Sequence, residues 1–197
     1  MKGKKKMKKL LALTLFAAVA ALSAQTQTPA KAAPAKAPAF RKVKLMNADY
    51  MLPAAKGIMG WKFQGSAFAG DMELVTEGKG KALKITPKET AYSKSTKHKT
   101  LRAICQNASP FRVMNGDTVK FDVEFKGEPG SIIGFILFDG RVNHWVRWQV
   151  KCNGKWQKGS YTMKMKKDCP KSFFAADVFH KSVLLKPVKV SVQKAVK

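Results

Sequence analysis

Acidic residues are scarce in this chain, 12 against 38 lysines and arginines, and only five of the 38 are arginine. Histidine and cysteine number three each. Each shortage excludes something. His98, His144 and His180 lie far apart and no H-E-x-x-H occurs, which removes the common zinc-protease helix. No G-x-S-x-G elbow is present. Gly78-Lys79-Gly80-Lys81 lacks the spacing and the Lys-Ser/Thr end of a phosphate-binding loop. No two cysteines have the close spacing of zinc ligands. The few acids are scattered, so no catalytic residue, metal ligand or cofactor is assigned, and the chain reads as a non-enzyme. Past the first residues there is no apolar stripe at helical spacing, no heptad and no internal repeat.

What is present begins with Lys2, Lys4, Lys5, Lys6, Lys8 and Lys9, followed by an apolar run from Leu10 to Leu22 and the small residues Ala21, Ser23 and Ala24. That is the three-part form of a signal peptide, assigned to residues 1–24. The run is shorter than the roughly 20 residues a membrane-spanning helix needs, so no span is expected after cleavage. The sequence predicts export, to the periplasm or beyond. Gln25 to Ala39 holds Pro29, Pro34 and Pro38 among small residues and lysines, the composition of a linker that cannot bury enough apolar surface to order itself. Residues 40–197 remain as one domain large enough for its own core.

The formal charge is +26, falling to +20 once the six leader lysines are removed. Such a chain is drawn to polyanions. Its lysines are point charges, not the bidentate forks of arginine, and suit diffuse attraction better than specific phosphate recognition. No nucleic-acid motif is recognisable, and export argues against that role. Cys105, Cys152 and Cys169 allow three pairings with one thiol left over; Cys152 with Cys169 is the favoured bridge, closing a short loop.

The domain reads as strands. Val119, Phe121, Val123 and Phe125 alternate with Lys120, Asp122, Glu124 and Lys126, between the turns Asn115-Gly116-Asp117 and Gly127-Glu128-Pro129-Gly130. Further strands are predicted at Ala82–Thr86, Leu101–Gln106, Trp145–Lys151, around Tyr161–Met165, at Phe173–Phe179 and around Val188–Val192. Ser131 to Phe138 is almost wholly apolar and should be a strand covered on both faces. Short strands punctuated by Gly, Pro and Asn predict an all-β antiparallel sandwich of jelly-roll type.

Lys79-Gly80-Lys81-Ala82-Leu83-Lys84-Ile85, Asn115-Gly116-Asp117-Thr118-Val119-Lys120-Phe121 and Trp156-Gln157-Lys158-Gly159-Ser160-Tyr161 follow one another in a familiar order, after Asn47-Ala48-Asp49-Tyr50 and Gly60-Trp61. In this respect residues 44–192 resemble the galactose-binding-like jelly rolls, in particular the carbohydrate-binding modules attached to xylanases and other glycan hydrolases. The resemblance implies a non-catalytic domain that binds polysaccharide. It also implies a structural calcium held by an acid after the first strand and another near the last. Here Met51 and Leu184-Leu185-Lys186-Pro187 stand near those places, so no metal is expected.

The candidate ligand site is aromatic. Trp145, Arg147 and Gln149 fall on one side of their strand, with Val146, Trp148 and Val150 on the core side. An indole stacked on a sugar's apolar face, with amide and guanidinium donors at its edge, is a physically sound glycan grip. His144 adjoins it. Asp177, within an apolar run, needs a partner if buried; it either joins this face near Trp145 or pairs with a lysine. Alternation places Arg102 and Gln106 on a facing strand. Trp61 and Trp156 are expected in the core. Two readings stand: a domain for polysaccharide, acidic polysaccharide above all, or a basic envelope protein for anionic polymers, lipid headgroups or another protein.

Overall fold

The computed structural model describes residues 38–47, 49–50, 58–95, 100–139 and 146–196. The leader, most of the linker, Met51, His144 and Trp145 lie outside these residues. The chain runs through β1 (Arg41–Lys42), β2 (Trp61–Phe63), a 3-10 turn (Ser66–Phe68), β3 (Gly70–Glu77) and β4 (Gly80–Pro87). There follow α1 (Ala91–Ser95), β5 (Arg102–Asn107), β6 (Phe111–Val113), β7 (Thr118–Gly127), β8 (Ile132–Asp139) and β9 (Val146–Lys151). It closes with β10 (Gln157–Lys164), β11 (Cys169–Phe179), β12 (Val183–Leu185) and β13 (Lys189–Gln193).

Among the described residues the strands form two antiparallel sheets packed as a sandwich. In the seven-stranded first sheet, β7 is the hub. β10 pairs along one edge of it, and β12 and β13 lie end to end along the other. β12 then carries the β4–β3 hairpin and β13 carries β1. In the six-stranded second sheet the order is β2-β5-β11-β8-β9, with β6 beside β5 on the same edge of β11.

Alternation explains the layers. Along β7 every second residue is buried, Val119, Phe121, Val123 and Phe125, and the charged partners face out. The sandwich interior is an aromatic mesh. Phe174 meets Trp61, Phe121 and Phe135, and Trp148 stands edge-on to Phe121 at 5.5 Å between ring centroids. Edge-to-face pairs of this kind add about 0.5–1.5 kcal/mol each beyond burial. Trp61 plugs one end, as expected; its indole N–H donates to the Asn47 carbonyl at 3.4 Å and Tyr50 packs on its ring. Gly127 is required where β7 ends, because a Cβ there would run into Ser131 and Cys152.

The expected Cys152–Cys169 bridge is not formed: Cys105, Cys152 and Cys169 are all buried free thiols. The register explains why. Cys152 follows Lys151, which pairs with Ile132 at the start of β8, whereas Cys169 precedes Ser172, which pairs with Asp139 at its end. Seven residues of strand separate those ends, about 23 Å at ~3.3 Å per residue. A disulfide spans a Cα separation of only about 4.4–6.8 Å.

Candidate functional site

The strand register builds the site on the outer face of the second sheet. Asp177 of β11 stands between Ile104 of β5 and Gly134 of β8, and Gly134 pairs with Gln149 of β9. One row nearer the opposite end, Ala175 stands between Gln106 and Ile136, and Ile136 pairs with Arg147. Three of the sequence-predicted residues, Arg147, Gln149 and Asp177, therefore come to one face from two strands that β8 separates. Gln149 is exposed, and Trp148 and Val150 pack inward as their alternation required. Gly134 contributes no side chain between Asp177 and Gln149.

The face is not uniform. On the β5–β11 side, Ile104, Ile136 and Ala175 form a small second core on which Phe68 and Phe138 pack. Phe68 comes from the 3-10 turn, and Tyr92 of α1 leans on it at 5.0 Å. Thr90 ties the two connections together, its hydroxyl donating to the Ala67 carbonyl at 3.0 Å. Arg102 is the pin. Its guanidinium lies 4.7 Å from the Phe68 ring centre and 5.2 Å from that of Phe179, and it donates through Nε and Nη2 to the two Asp177 oxygens at 2.8 and 3.0 Å. Burial works against the Arg102 charge, but Asp177 and the Tyr92 hydroxyl outweigh it.

Asp177 is fully buried, with its carboxylate held by Arg102. It is on the expected face, and of the two roles anticipated it takes the pairing one, with an arginine as partner. Arg102 and Gln106 lie on β5, in the same sheet as β9 with β11 and β8 between, rather than on a strand facing it, and Gln106 is nearly covered. His144 and Trp145 fall outside the described residues. Sequence reasoning missed Gln64. Its amide N–H donates to the Ile104 carbonyl at 2.9 Å, extending β2, so it continues the Ile104–Asp177–Gly134–Gln149 row. Its side-chain oxygen is buried without a hydrogen-bond partner. The Lys62-Phe63-Gln64 alternation was the available signal.

Trp156 departs from expectation. It is half-buried rather than core, with the Lys186 ammonium 4.4 Å from its ring centre. The two stretches compared with calcium-bearing positions do meet: the Tyr50 hydroxyl donates to the Lys186 carbonyl at 3.2 Å, and Asp49 and Lys186 line one cavity. An ammonium on one side of that cavity disfavours a hard cation there. Among the described residues no helix is long and apolar enough to cross a membrane.

No family model matches the chain, and no curated protein matches it. Solved structures do. TmCBM61, determined in complex with β-1,4-galactotriose, matches at TM-score 0.50 and 12% identity over 74% of this chain and 95% of that one. A family 4 carbohydrate-binding module matches at TM-score 0.48 and 13% identity, over 76% of this chain and 100% of that one. A family 22 xylan-binding domain from Paenibacillus barcinonensis also matches at 0.48 and 13%, over 82% of this chain and 100% of its own. At identities this low the likeness is one of fold: the chain has the sandwich of the carbohydrate-binding modules.

Proposed function

We propose that this is an exported, non-catalytic carbohydrate-binding domain that holds polysaccharide on the outer face of its second sheet. The observation that carries the reading is Gln149, an exposed amide on the outer face of β9, at the open end of a row whose Ile104 and Asp177 are fully covered. The Phe68–Tyr92–Arg102 assembly walls one side. On the other side Arg147 of β9 pairs with Ile136, and Trp145 and His144, the remaining candidates for this site, precede β9 in the chain outside the described residues. A sugar chain needs such an arrangement, flat apolar ground with a few directional polar groups. A domain of the same fold binds a galactose trisaccharide, which supports the ligand class.

The charge of +20 left once the six leader lysines are removed from +26 favours acidic polysaccharide over neutral. Within this reading Asp177 acts as a positioning residue that keeps Arg102 and the wall in place. The rival reading, a basic envelope protein coating anionic polymer or lipid headgroups, draws on the same charge and needs no sugar-shaped face.

Affinity electrophoresis of residues 40–197 against soluble polysaccharides tests both. At 1 M salt the screening length is about 3 Å, so attraction to a lysine field collapses while stacking and hydrogen bonding persist. Retained binding of a glycan at 1 M salt, weakened by Trp145→Ala or Gln149→Ala, supports the sugar-binding face. Binding that vanishes with salt and ignores both substitutions supports the rival.

A further inference from the structure

The first sheet has a concavity of its own on its outer face, across the sandwich from the residues above. A cavity of about 500 Å³ is lined by Asp122, Glu124, Lys158, Ser160, Pro187 and Lys189. A neighbouring cavity of about 660 Å³ shares Pro187 and takes in Asp49, Glu77, Lys79, Lys81 and Lys186. The two meet at the Lys186-Pro187 crossing between β12 and β13.

The charge here does not follow the rest of the chain. Of its 12 acids, four line these two cavities, two in each. In the first, two carboxylates stand against two ammonium groups, so the groove is balanced inside a protein of charge +26. The two carboxylates are also paired. Glu124 holds Lys186 at 2.5 Å and faces Lys158 at 3.9 Å. Asp122 takes Lys120 at 3.1 Å and the Ser160 hydroxyl. Anchored carboxylates and ammonium groups present hydrogen-bond acceptors and donors in turn along the floor. Trp156, one residue before β10, is half-buried with its ring under the same Lys186 ammonium that Glu124 holds.

A polyanion would meet carboxylates along this floor, and a cation would meet lysines. A neutral, hydroxyl-rich chain meets partners of both kinds and a flat indole edge. We propose that the groove running from Trp156 over Asp122, Glu124 and Ser160 is a second glycan-binding surface, selective for uncharged polysaccharide and separate from the face on the second sheet. This rests on the reading of the domain as carbohydrate-binding.

The test is an amide-resolved NMR titration of residues 40–197 with a neutral β-1,4-galactan oligosaccharide and with an oligogalacturonate, at low salt and at 1 M. The neutral oligosaccharide is expected to move the Trp156 indole N–H and the backbone amides of 158–160 and 188–189. Glu124→Gln should weaken that response roughly tenfold. Ser160→Trp, an exposed position on edge strand β10, should fill the groove and abolish it. Gln149→Ala should leave it alone. Dispersed spectra of each variant confirm folding. If only amides near Gly134, Gln149 and Asp177 respond, the second surface is refuted and the first reading stands. If the groove responds only to oligogalacturonate and loses that response at 1 M salt, the neutral selectivity is refuted. If no glycan moves any amide, both readings fall.

Discussion

Asp177 and Arg102 occupy a place where neither charge is stable alone. The carboxylate is fully buried and the guanidinium 14% exposed, held by two bonds and two aromatic rings. Asp177→Ala strands the arginine and should cost about 3–5 kcal/mol, read as a fall in the thermal midpoint. Replacing the pair together, Arg102→Met with Asp177→Leu, should recover most of the loss; a double variant no better than the single would show that the bonds themselves are not what matters. Asp117 plays a different part. It accepts from the Met114 and Ala195 amides at 2.8 and 3.1 Å and from Lys194 at 2.7 Å, closing the turn before β7 onto the C-terminal segment. Burial pushes its carboxyl up, but these donors outweigh that and hold it below the usual range. A lowered carboxyl pKa contributes stability that is present above its unfolded value, about 3.9, and lost as pH falls through the folded one. Acid unfolding should therefore begin below about pH 4, and Asp117→Asn should flatten that limb of the stability profile. The thiols give a third expectation. Burial pushes Cys105 and Cys152 up from the ordinary range, so the native protein should be inert to thiol reagents and titrate all three cysteines only when unfolded.

At the scale of elements, strands with clean alternation were legible in the residues and strands without it were not. Val119 to Lys126 and Trp145 to Lys151 announced β7 and β9, and the apolar Ser131–Phe138 announced β8. β3 was missed because Asp71, Glu73 and Glu77 alternate with residues that are only half covered at the sheet edge, so no apolar period emerges. α1 was missed because a single turn from Ala91 to Ser95 has no stripe to show; it is fixed by Thr90 and by Tyr92 against Phe68. The outer face of the second sheet was half legible. Alternation set Gln149 and Arg147 together, but the Arg102–Asp177 bond spans 75 positions of sequence and depends on a pairing register that local pattern does not contain. The disulfide went wrong for the same reason, since nearness in sequence concealed the length of β8 between the two thiols. β11 is the element with the most to lose. Phe174 touches the rings of Trp61, Phe121 and Phe135, and Phe174→Ala should cost about 3–5 kcal/mol and shift the tryptophan emission to longer wavelength.

For the whole molecule, the two proposed faces differ in the charge around them. The lysine excess sets a long-range field that salt removes, whereas the groove beside Trp156 is locally neutral. Total binding to a carboxylated polysaccharide should fall by more than tenfold between low salt and 1 M, while binding to a neutral one changes little; isothermal titration at the two salt levels measures both. Equal salt dependence for the two would mean that attraction to the field accounts for everything bound.

The hub position of β7 bears on the order in which the first sheet can assemble. Without residues 183–193 the β3–β4 hairpin and the β7–β10 pair have no hydrogen-bonded link, because β12 alone joins them. The two ribbons of the first sheet therefore stay unlinked by hydrogen bonds until β12 has been added, and a chain cut before residue 183 should leave them apart.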